Sequence, residues 1–112
     1  MEKNEMKKIR SSISIEIIEY IPQAMVSKTI IEKTTGNINV ISFADGEGLA
    51  EKKSPHDSFI QIIDGRAELV IDGNLHMLET GYSIIIPANT FYYIKPNEQF
   101  KMIATIIKSA YE

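Results

Sequence analysis

Turn signals at short intervals cut this chain into brief runs of β-branched residues, and that spacing leaves little room for anything but strands. The signals are Thr35-Gly36-Asn37, Asp64-Gly65, Asp72-Gly73, Glu79-Thr80-Gly81, residues 87–90 and residues 96–99. Between them lie apolar or alternating segments at residues 26–33, 38–44, 59–63, 67–71, 75–78, 82–86, 91–95 and 100–109. Ile38, Val40 and Ser42 alternate with Asn39, Ile41 and Phe43, the period of two that a half-buried strand requires. Both Asp-Gly pairs read as hairpins, because the two central positions of a type I′ turn need positive φ. All six glycines fall at expected turns and none inside a strand. Many short strands at this spacing predict an all-β fold, a barrel or sandwich with no helix longer than about three turns.

The 112 residues suffice for a single core. Residues 1–12 are charged and aperiodic and read as a mobile tail, which leaves residues 13–112 as the one domain. Residues 11–21 are ambiguous: Ile13, Ile15 and Ile17 alternate like an edge strand, while Ile17 and Ile21 share a helical face, and Pro22 closes the segment either way. A net charge of −3, with basic residues scattered apart from residues 7–10 and Lys52-Lys53, argues against a nucleic-acid partner. No apolar run approaches the roughly 20 residues of a membrane helix. With no cysteine there is no disulfide framework and no thiolate chemistry. The first ten residues lack the apolar stretch of a signal peptide, so a cytoplasmic protein is expected.

Two stretches carry a resemblance. The first is residues 46–65, Gly-Glu-Gly-Leu-Ala-Glu-Lys-Lys-Ser-Pro-His-Asp-Ser-Phe-Ile-Gln-Ile-Ile-Asp-Gly. The second is residues 81–92, Gly-Tyr-Ser-Ile-Ile-Ile-Pro-Ala-Asn-Thr-Phe-Tyr. Together they resemble the paired motifs of the cupin superfamily, and the phrase at residues 46–57 is similar to that of small one-domain cupins. Phe100-Lys101-Met102 looks like the same group. The resemblance covers residues 26–109 and implies an antiparallel jelly-roll barrel (a double-stranded β-helix) that usually holds a metal ion. Counting back from Gly65, the first motif's Glu position carries Ser58, its second His position Ser54 and its first His position Lys52. In the second motif Gly81 and Pro87 fit, Asn89 stands where Gly is common, and Tyr92 stands at the His.

Those substitutions decide the chemistry expected. A transition-metal site wants imidazoles and carboxylates converging at roughly 2.0–2.2 Å, whereas Lys52 offers donors only and would repel a cation. Only two histidines exist, His56 and His76, and His56 and Asp57, adjacent on an extended segment, would point to opposite faces. No metal and no cofactor is expected. Lys52 is either a rim lysine reaching into water or a fixed charge in the barrel mouth. Tyr92 points inward, as a cavity plug or as a ligand contact, and Tyr93 then faces outward. Met102 either lines the cavity or fills the core.

Three functions follow. The first is a metal-free cupin that binds a small, anionic molecule through Lys52, Ser54, Ser58 and Tyr92. The second is a metal-independent isomerase with Tyr92 as acid and Lys52 as base, which needs a desolvated lysine. The third is a structural or interaction module with a filled barrel. A cavity of about 300–1,000 Å³ would separate the first two from the third. The β-branched surface of residues 13–26 further suggests a homodimer packed across a two-fold axis.

Overall fold

The computed structural model describes residues 5–108, so parts of the expected N-terminal tail (residues 1–4) and of the last segment (residue 109) lie outside the described residues. Eight strands follow a single 3-10 turn at Ser14–Glu16: β1 Met25–Lys33, β2 Gly36–Phe43, β3 Leu49–Lys53, β4 Asp57–Ile71, β5 Asn74–Glu79, β6 Ser83–Ile86, β7 Phe91–Ile94 and β8 Phe100–Ile107. All pairings are antiparallel. The long β4 organises the molecule. Its first half lies between β8 and β6, extending through β2 to β1, and its second half lies between β5 and β7, with β3 beyond β7. The result is one curled antiparallel sheet whose two halves face each other.

The passage of β4 between the two halves corrects one expectation. Asp64-Gly65 does not form a hairpin; the strand runs straight through it. Gly65 does adopt positive φ (88°), as the sequence requires, but the turn is traded for a bend, with a register shift against β8 between Ile62 and Asp64. Strand partners on both sides outweigh the local turn preference. A Cβ at Gly65 would meet the Gln99 carbonyl oxygen at 2.7 Å, so the glycine admits close backbone passage. Thr80 pins the bend, its Oγ1 accepting from Gly65 N–H at 3.0 Å and donating to Gly65 O at 3.2 Å. At Asp72-Gly73 the hairpin forms as expected, with φ of 50° and 81° and Ile71 opposite Asn74. The expectation that no glycine lies within a strand therefore fails at Gly65, and also at Gly36, the first residue of β2.

Alternation sorts the side chains into an inner and an outer face. The inner face of β4 carries Ser58, Ile60, Ile62, Ala67, Leu69 and Ile71, all buried. Phe43 and Phe100, opposite one another on β2 and β8, are fully buried and stack with centroids 4.3 Å apart. Such a pair contributes roughly 0.5–1.5 kcal/mol beyond its burial. Met102 (3% exposed) is a core residue, as is Tyr92 (6%).

Residues 11–21 resolve into a helical turn that straps the outer face, not an edge strand. Ile18 is buried, and Ser42 donates to the Glu19 carbonyl at 2.9 Å. Lys101, only 8% exposed, donates to the Ile15 carbonyl at 2.6 Å and lies 4.8 Å from the Tyr20 ring centre. The Tyr20 hydroxyl donates to Asp64 at 2.6 Å. Partial burial, then the Asp64 carboxylate, raise the Tyr20 pKa well above the ordinary tyrosine range. Nearer the N-terminus, Met6 N–H donates to Ile30 O at 3.2 Å, holding the chain against β1.

Candidate functional site

The four residues at the cupin ligand positions do not converge as a set. Lys52 and Tyr92 are partners in the β3–β7 register, and residues paired across an antiparallel ladder project to the same face. Tyr92 is part of the buried core, and Lys52, an exposed residue, stands over it with Nζ 5.8 Å from the Tyr92 ring centre. Ser58 is buried at the inner end of β4, paired with Ile86 and Ile106. Ser54 is diverted: its Oγ accepts from His56 N–H at 3.1 Å, and its carbonyl accepts from Asn89 N–H at 2.7 Å. It closes the loop before β4 and faces away from this chemistry, because a serine two residues before an N–H readily makes a local turn.

These groups do not fit a metal ion. An ammonium, two serines and a phenol offer no imidazole or carboxylate, and among the described residues no group of three His, Asp or Glu could hold one. The Asp57 carboxylate accepts from Ala88 N–H at 2.8 Å. His76, on β5, pairs with Leu69 of β4, remote in register from His56. His56 is half-buried, and its Nδ1 is buried with no hydrogen-bond partner among the described residues.

What the interior does hold is a set of neutral polar groups. Ser58 and Tyr92 are buried residues on the inner faces of β4 and β7, while the buried side-chain polar atom without a partner among the described residues is His56 Nδ1. The Ser58 and Tyr92 hydroxyls can both donate and accept, so a bound molecule or water that reached them could pair with them. Two further residues were missed by the sequence reading. Asn37 and Asn39 lie on the inner face of β2, opposite Ile106 and Ala104, and Asn39 donates to Asn37 at 2.9 Å. The alternation ending in Phe43 was the available signal for Asn39, while Asn37 was hidden in a turn assignment.

Two concave surfaces lie away from these residues. One of about 750 Å³ is lined by Asp45, Gly46 and residues 96–99, and one of about 660 Å³ lies between the N-terminal segment and Lys28. The barrel interior itself is narrowed by Tyr92, Met102 and the isoleucines around them. Tyr93 faces away from Tyr92, half-buried opposite Val70.

Comparison with known proteins agrees with this architecture. No protein-family model and no curated protein matches the sequence. Among solved structures, a conserved protein of unknown function from Streptococcus pyogenes is 24% identical, with a TM-score of 0.88 over 95% of this chain and 93% of that one. A cupin superfamily protein from Desulfitobacterium hafniense is 23% identical, with a TM-score of 0.84 over 96% and 97%. A cupin 2 conserved barrel domain protein from Leptotrichia buccalis is 30% identical over 84% of this chain, with a TM-score of 0.80, and this chain spans 46% of its length. No helix among the described residues is long and apolar enough to cross a membrane. The chain is a small cupin-fold domain.

Proposed function

We propose that this domain binds a small anionic molecule in the mouth of its barrel without a metal ion, using Lys52, Ser58 and Tyr92. The observation that carries this reading is the Lys52 ammonium set over Tyr92 as its partner in the β3–β7 ladder, with the Ser58 hydroxyl on the inner face of β4. A carboxylate placed there would gain one charge-assisted hydrogen bond, roughly 1.5–3 kcal/mol, and one or two neutral ones of about half that. A lysine acting as base would need burial, and Lys52 is exposed, which favours binding over proton transfer.

The domain works in this proposal as a homodimer, in the cytoplasm. Four exposed large apolar side chains, Ile13, Ile15, Ile21 and Met25, fall in the segment ahead of and entering β1. Such a stretch is self-complementary about a two-fold axis, which makes a second copy its natural cover.

A thermal-shift screen of small carboxylates and phosphates tests the binding reading. One or more should raise the midpoint of the wild type, and Lys52→Ala and Tyr92→Phe should weaken the response. If no anion shifts the wild type, or if both variants respond like it, the barrel is a filled structural module.

A further inference from the structure

We propose that the ligand of this mouth is a hydroxylated carboxylate, whose hydroxyl groups are read by Asn37 and Asn39. The inference rests on the anion-binding reading above and names the substrate class of the same site.

The inner face of the first half-sheet forms straight rows across the strands. One row runs Asn37, Ile106, Ser58, Ile86 across β2, β8, β4 and β6, and the next runs Asn39, Ala104, Ile60, Ile84. Strands in a sheet are spaced about 4.8 Å apart, so Asn37 and Ser58 stand about 10 Å apart with only Ile106 between them. On β1, Thr29 extends the second row as the partner of Asn39. Deeper in the barrel the rows turn wholly apolar, ending in the Phe43–Phe100 stack. The inner surface is therefore graded, with an apolar floor and a neutral polar wall at the β1–β2 side.

The two asparagines are half-buried, and the single bond between their side chains orients both amides. It leaves the Asn37 NH₂ with two donors and the Asn39 oxygen as an acceptor. Adjacent donor and acceptor match a hydroxyl, which both accepts and donates, and do not match an anionic oxygen, which only accepts. Facing sheets pack about 10 Å apart. A molecule with a carboxylate at Lys52 and Tyr92 and hydroxyls along its chain would span from one wall to the other. A purely apolar acid would leave the amide wall unsatisfied.

The test is calorimetric titration of the wild type with propionate and with gluconate, which share the carboxylate and differ in hydroxylation. Gluconate should bind roughly tenfold more tightly, the gain expected from one or two additional neutral hydrogen bonds. Asn37→Ser and Asn39→Ala should bind propionate like the wild type and lose most of the preference for gluconate. Asn39→Asp, which keeps the shape and adds a negative charge, should reject gluconate more strongly still. Equal affinity of the wild type for both acids, or a preference that survives in the asparagine variants, overturns this inference while leaving anion binding intact. Failure of both acids to bind overturns both readings.

Discussion

At the scale of single residues, the same amino acid in two Asp-Gly pairs meets two different surroundings. Gly65 and Gly73 both have positive φ, but a Cβ at Gly73 would meet nothing within 4 Å, whereas at Gly65 it would strike a backbone oxygen at 2.7 Å. Gly73→Ala should cost only the left-handed strain, about 1 kcal/mol. Gly65→Ala should cost a further ~1–3 kcal/mol because backbone must shift. Urea midpoints of the two variants give the difference directly, and equal losses would contradict close passage of β4 beside Gln99. Phe100→Ala, which removes one ring of a fully buried stack, should lose about 3–5 kcal/mol in the same assay. Ser54 shows how a motif position can be emptied of its role by a neighbouring N–H.

At the scale of elements, the strap of residues 15–20 depends on polar contacts to the outer sheet face. Tyr20 holds its proton in the folded state above the ordinary tyrosine value of 10.0, through burial first and Asp64 second. A pKa raised on folding contributes stability that is present below about pH 10 and is lost as pH rises beyond it. Denaturation midpoints should therefore fall above pH 10 in the wild type and much less so in Tyr20→Phe. At neutral pH that variant should lose about 1 kcal/mol, since the bond to Asp64 is partly exposed to water. A variant with the full alkaline loss would show that another group titrates. The elements themselves were largely legible in the sequence, because strand alternation and the Asp72-Gly73 turn are local signals. Two features were not. β3, with Glu51, Lys52 and Lys53 together, reads as a charged surface, which is how an edge strand protects itself. The continuity of β4 through Asp64-Gly65 depends on partners far along the chain, which no local signal encodes. Of the candidate site, the resemblance put Lys52 and Tyr92 at ligand positions without giving their pairing, and the Asn37–Asn39 pair emerged only once β2 was laid beside β8.

At the scale of the whole molecule, the exposed apolar residues between Ile13 and Met25 should bring two copies together. Sedimentation at tens of micromolar should show a dimer, and Ile13→Glu with Ile21→Glu should shift it toward monomer; a monomeric wild type would contradict that arrangement. The central claim is that a cupin fold with no metal-ligand set among its described residues recognises an anion with an ammonium and hydroxyls at its mouth. The most direct measurement is an NMR titration with propionate on protein carrying isotope-labelled lysine and tyrosine side chains. The Lys52 and Tyr92 signals should move together and saturate with one dissociation constant, while Lys7, Lys28 and Lys53 stay still. Shifts confined to the surface lysines, or none at Tyr92, would contradict the account.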